Sequence, residues 1–337
     1  MRRNIHYILT LLLLSFSCSE EDVSKDEIAF YHWKAKAEFT KSYSEAIRTA
    51  DANTIYMHYF DIESIKEPSW RDDGIYPTYV LKSVDEAYKK LNVIPVVYID
   101  NRVLKTEKLD VLNLADRISK LIDQISTKHF KKTIQQIQID CDWTMKTKSE
   151  YFALLKALKS KFDIGVTIRL HQIKFQNKTG VPPVNRGTLM LYNMGDLRNT
   201  NENSILESAI VGQYINEGST YPLKLKIALP LFAQTVVTNN NNKIKLIKNT
   251  DRRFLENDPH FEQIDATNFK LVKDTLYKGF YLAEGYNLKL EEVKSSEISA
   301  SYDLIKESKL KTDGLIFYHL DDRSLSNYDL KTTIETL

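Results

Sequence analysis

The chain has 337 residues, 42% of them hydrophobic and 11% aromatic, enough to close one large core or two medium ones. Its formal net charge is only +2, which argues against nucleic acid or an acidic membrane surface as a partner. Downstream of the N-terminal segment no apolar run approaches the about 20 residues that a membrane-crossing helix needs.

In chain order the first feature is a targeting pattern. Arg2 and Arg3 form a positive start, Ile8 to Leu14 is apolar apart from Thr10, and small Ser17 precedes Cys18, so residues 1–17 read as a secretory signal. The segment resembles a lipoprotein lipobox, although Leu14 lies four residues before the cysteine instead of three and Phe16 takes a usually small position. The resemblance implies lipid on Cys18 as the membrane attachment. The alternative is an ordinary cleaved signal that happens to contain a cysteine. Ser19, Glu20, Glu21 and Asp22 resemble the surface-export tag of Bacteroidetes lipoproteins, and equally suit a solvated linker. Residues 18–26 are expected to be a flexible tether, and the destination is expected to be the cell envelope, lipid-anchored to the outer membrane. The other cysteine, Cys141, falls within a strand pattern, so no disulfide is expected.

Beyond residue 27, apolar β-rich runs recur at Ile28–Trp33, Thr54–Phe60, Val93–Ile99, Ile134–Asp142, Ile164–His171, Thr188–Asn193, Leu225–Phe232 and Gly314–Leu320. Helical patterns fall between them at Ser42–Ala50, Ser83–Leu91, Leu109–Lys128, Lys148–Lys161, Ser204–Asn216 and Glu297–Ser308; Ser42 with Glu45 and Ser83 with Glu86 have capping-box spacing. Eight strands alternating with helices predict an α/β protein with a (β/α)8 TIM barrel over residues 27–337. An open doubly wound sheet is the alternative, but no Gly-rich phosphate loop follows the first strand, and the chain has only 10 glycines. The interval between strands seven and eight is too long for a plain loop. Thr235–Thr238, the Asn239–Asn242 turn and Lys243–Ile247 read as a hairpin, within an insertion over roughly residues 235–296.

Barrel enzymes build their sites at the C-terminal strand ends, and polar residues collect there. Strand one ends in His32 and Trp33, strand two carries His58 and Asp61, and strand three ends in Asp100. Strand four ends in Asp140, Asp142 and Trp143, and strand five in Arg169 and His171. Tyr192 and Asn193 end strand six, Gln234 follows strand seven, and Tyr318, His319 and Asp321 close strand eight. Gln138, Asp140 and Asp142 would share one strand face by alternation, with the two carboxylates roughly 7 Å apart. At that range ionisation of one opposes ionisation of the other, so one is expected to hold its proton. Arg169 and His171 on the neighbouring strand could instead hold both charged in a structural network.

These residues resemble the barrel of family 18 glycoside hydrolases, the chitinase and endo-N-acetylglucosaminidase group, and its related lipoproteins. There the fourth strand ends in Asp-x-Asp-x-Glu, and Asp140-Cys-Asp142-Trp143-Thr144 follows it to the last position; Met190-Leu-Tyr192-Asn193 stands where the family has Met-x-Tyr-Asp. The resemblance implies acetamide-orienting roles for Asp142 and Tyr192. It also places Thr144 where the family has its general-acid glutamate, and loss of such an acid costs about 10²–10⁴-fold in rate.

Three functions follow. The first is a glycan-active, hydrolase-like barrel at the cell envelope with Asp140, Asp142 and Tyr192 as catalytic residues. Its substrate-binding residues would be Trp33, His58, Asp100, Trp143, Arg169, His171, Asn193, Gln234, Tyr318, His319 and Asp321. The second is a non-catalytic glycan-binding surface lipoprotein, with Trp33, Trp143 and Tyr318 as stacking residues. The third is a metal-dependent hydrolase using His58, His171, His319 and an aspartate, which no His-x-His or His-Glu-x-x-His spacing supports. A monomer without cofactor is expected, with a glycan or oligosaccharide as ligand.

Overall fold

The computed structural model describes residues 27–65 and 73–337; the expected signal, Cys18 and the tether up to residue 26 lie outside them. Eight parallel strands form the frame: β1 (Ile28–His32), β2 (Thr54–Ser64), β3 (Asn92–Ile99), β4 (Gln136–Asp140), β5 (Asp163–Arg169), β6 (Arg186–Met190), β7 (Lys224–Pro230) and β8 (Thr312–Tyr318). Each pairs with its sequence neighbour, and β1 pairs with both β8 and β2, so the sheet closes into a (β/α)8 barrel. The strands are near-continuous apolar runs because both faces are covered, by side chains filling the barrel inside and by helices outside; all five residues of β1 are buried. Gly314 at the start of β8 has φ +136°, and a Cβ there would collide with the Glu27 carbonyl, so glycine is what lets β8 lie against the start of β1.

The outer helices follow the expected order with shifted ends. Val111–Phe130 buries Leu114, Ile118, Ile122 and Ile125 at helical spacing and is capped by Asp110, whose carboxylate accepts from the Asn113 N–H at 2.9 Å. Thr40, not Ser42, caps the first helix, Lys41–Thr49. The pattern over Ser83–Leu91 yields only a 3-10 turn, Glu86–Lys90, capped by Asp85, because β3 claims the chain from Asn92. The helix expected from Ser204 starts at Ser208, since the Ser204 N–H and hydroxyl are both held by the Glu291 carboxylate, at 2.9 and 2.5 Å.

Between β7 and β8 the chain builds a five-stranded antiparallel sheet from Gln234–Thr238, Ile244–Lys248, Phe261–Gln263, Asn268–Leu271 and Asn287–Glu291, with a small hairpin, Thr275–Tyr277 and Phe280–Leu282. The asparagine-rich turn joins the first two strands, in the register Thr238 to Ile244. A second apolar cluster, including Val237, Ile247, Phe269, Leu288 and Leu290, lies under this sheet, separate from the barrel core.

Candidate functional site

The C-terminal ends of the barrel strands carry two unlike groups of side chains. The first is aromatic. Trp33, just past β1, lies 5.8 Å from Tyr318 at the end of β8 and 4.8 Å from the His58 ring on β2, between ring centres. Tyr192, just past β6, stacks on Tyr318 at 4.9 Å and 25°, and Tyr31 and Phe232 pack on the same ring at 5.7 and 5.8 Å. Tyr31, Tyr192 and Phe232 are buried, whereas Trp33 and Tyr318 keep part of their surface open. The peptide joining Tyr318 to His319 is cis.

The second group is charged. Asp140 ends β4, and its Oδ1 accepts the Thr167 hydroxyl of β5 at 2.7 Å. Burial, reinforced by the neighbouring Asp142, pushes its carboxyl up to about 6 against the opposing Thr167 hydrogen bond. Asp140 therefore keeps its proton only in mildly acidic surroundings. One layer below, the Tyr31 hydroxyl donates to Gln138 and the Gln138 amide donates to Thr188, both at 2.7 Å, which closes a buried polar bridge across the barrel.

Asp142 lies two residues past the end of β4, level with Arg169 at the end of β5. Its carboxylate is gripped by Arg169 through two bonds, Nε to Oδ1 at 2.7 Å and Nη2 to Oδ2 at 2.9 Å. Arg169 Nη1 also reaches the Asn193 carbonyl at 3.3 Å. Asn193 itself is exposed, with φ +55°. Thr144 is exposed, and its N–H and hydroxyl engage the Thr147 hydroxyl at 3.0 and 3.3 Å.

Several residues expected to meet a ligand at the mouth are engaged inside the fold or lie past the strand ends. Trp143 is 1% exposed, stacked on Tyr151 at 5.0 Å, so it offers no face to a ligand. β5 ends at Arg169, which leaves His171 exposed on the following short helix, Leu170–Lys174, near enough to Arg169 and Asp142 to feel both charges. Asp100 folds back on Arg102, which donates to both of its oxygens at 2.9 to 3.0 Å through Nε. Gln234 is buried at the root of the insertion and donates to Glu291 at 2.8 Å. Asp321 caps a short helix, Asp322–Asn327, and pairs with Lys34 at 2.6 Å; burial raises its carboxyl, but Lys34 outweighs this and holds it below the usual range. His319 is pushed down to about 4 by burial, and buried His32 to about 3 by the same cause, so both rings are neutral.

His58 and Asp61 show what simple alternation misses. Three residues apart, they should face opposite sides, yet His58 Nε2 lies 2.6 Å from Asp61 Oδ1 because the β2–β3 register shifts between His58 and Phe60. Thr167, which holds Asp140, was also missed, although it stands two residues before Arg169 on the same strand face. Among the described residues, no three His, Cys, Asp or Glu side chains converge in a way that could hold a metal ion.

A cleft of about 260 Å³ opens beside the aromatic group, between Asn193, Tyr318 and His319 of the barrel and Leu246, Lys248 and Asn249 of the inserted sheet. Another, of about 350 Å³, lies between residues 200–209 and Lys289–Glu292, away from Asp140 and Asp142.

No protein-family profile matches the chain, and no curated protein matches it significantly. Solved structures do match. The C-terminal domain of a candidate chitinase from Desulfitobacterium hafniense DCB-2 is 10% identical, with 93% of this chain and 99% of that one covered, at a TM-score of 0.52. The spore cortex-lytic enzyme SleL from Bacillus cereus is 12% identical, with 92% and 74% covered, at 0.48. A chitinase-like agglutinin from Robinia pseudoacacia is 10% identical, with 91% and 98% covered, at 0.45. The likeness is one of fold. At such identities it extends to the barrel and not to the residues at its mouth.

Proposed function

We propose that the mouth of this barrel recognises a glycan, in a protein held at the cell envelope by lipid on Cys18. The observation that carries the reading is the pair of partly open rings, Trp33 and Tyr318, backed by buried Tyr31, Tyr192 and Phe232 beside a cleft. Such rings offer a flat apolar face to the C–H side of a sugar ring, and their buried backing fixes them in place before a ligand arrives. Asp142 is gripped by Arg169 and Thr144 has no carboxyl, so neither is available as a proton donor. The barrel likeness to a candidate chitinase is in keeping with a glycan ligand.

A second reading, hydrolysis, is favoured by Asp140, whose carboxyl titrates near 6 and so holds a proton in mildly acidic surroundings. Calorimetric titration of chitin-, cellulose- and mannan-derived hexasaccharides, followed by a reducing-end assay on the same samples, separates the two. Recognition predicts saturable binding of at least one sugar without new reducing ends. Reducing ends that appear with wild type and vanish in Asp140→Asn establish hydrolysis instead, and no binding by any sugar overturns both.

A further inference from the structure

A third cleft, of about 440 Å³, lies where the inserted sheet meets the short helix after β8. Phe254 and Tyr277 stack at 4.9 Å and 20° on one side of it, and Leu276, 71% exposed, continues the apolar surface. Three cations, Arg253, Lys278 and Arg323, line the same space. Asp251, also in the lining, is engaged with Arg253: it accepts that residue's N–H at 3.0 Å and stands 3.8 Å from its Nε. Asp321 is taken by Lys34.

Lys278 and Arg323 are thus left in excess, and among the described residues neither forms an ion pair. The Lys278 ammonium donates to the carbonyls of Lys248, at 3.2 Å, and Asn249, which orient the charge without neutralising it. Burial and the nearby Arg323 push its pKa down and outweigh Asp321 and Asp251, which act the other way. Asn249 lines both this cleft and the one beside Tyr318, so the two adjoin on either side of that residue.

We infer that this cleft is the distal part of the ligand path and takes an anionic sugar, carboxylated or sulfated, between Lys278 and Arg323, with the sugar ring against Phe254 and Leu276. The inference rests on the glycan reading of the mouth and assigns its ligand class: an acidic oligosaccharide that runs from Tyr318 across Asn249.

Calorimetry with hexagalacturonate, a heparin-derived hexasaccharide and neutral chitohexaose tests it on the whole chain. At least one acidic sugar is expected to bind, more weakly as salt rises, and to lose about tenfold in affinity in Arg323→Glu, as for one lost charge-assisted contact. Arg323 is exposed, so its variant is expected to keep the wild-type melting temperature. Lys278→Arg is expected to retain acidic-sugar binding and Lys278→Gln to lose it. Acidic binding that is absent, or unchanged in Arg323→Glu, overturns the proposal. So does binding of these side chains to anionic phospholipid vesicles in preference to either acidic sugar. If acidic binding falls in Arg323→Glu while Trp33→Ala leaves every sugar's affinity unchanged, the basic cleft stands and the reading of the mouth fails.

Discussion

The aromatic and charged halves of the barrel mouth are built on opposite logics. On the β1–β8 side, rings stack on rings and two of them stay partly exposed. On the β4–β5 side, each strong group already has a partner inside the protein: Asp142 has Arg169, Asp140 has Thr167, and Thr144 has Thr147. Groups satisfied within the fold contribute order, while groups with an open face are left for a ligand. The proposed glycan site therefore rests on the aromatic side and not on the paired aspartates.

The contrast can be broken most forcefully at its two tryptophans. Trp143→Ala is expected to destabilise the fold by about 3–5 kcal/mol, because it empties a buried site beside Tyr151, and denaturant unfolding reads that directly. A stable Trp143→Ala protein with weakened sugar binding would place Trp143 with the ligand after all.

Asp140 sharpens the charged half. Its folded-state carboxyl titrates near 6, above the ordinary carboxylate value, so the folded form binds the proton more tightly than the unfolded form. Wild-type stability is therefore expected to fall as pH rises from about 4 through 6 on account of this group. Asp140→Asn removes that loss, and about 2–3 kcal/mol of added stability is expected at pH near 8, with no difference near pH 4. Equal stability of the two proteins across this range would show that Asp140 is not the proton-holding carboxyl.

A smaller effect separates the halves by binding. Trp33→Ala is expected to cost about 2 kcal/mol of glycan affinity, and Asp142→Asn less than about 1 kcal/mol, in parallel titrations. The reverse order would return the site to the charged half.

The barrel itself was legible because strands covered on both faces must be apolar throughout, and eight such runs survive any error at their ends. The ends were not legible. Alternation puts His171 on a strand face, but the strand ends at Arg169 and the chain enters a short helix. The His58–Asp61 contact depends on a register shift that carries no sequence signature. Trp143 shows the limit of motif reading, since its place beside two aspartates suggested a ligand contact while the fold uses it as core. The basic cleft joins residues 70 positions apart in the chain, Arg253 and Arg323, and only the packing of the inserted sheet on the helix after β8 brings them to one space.

The most direct test of the central claim is a saturation-transfer NMR experiment on wild-type protein with a mixture of neutral and acidic oligosaccharides, with the anomeric region followed over time. The same spectra report contact and cleavage together. The account predicts transfer to ring protons of at least one sugar and anomeric signals that stay constant. Absence of transfer to any sugar, or the growth of new reducing-end signals, would contradict it.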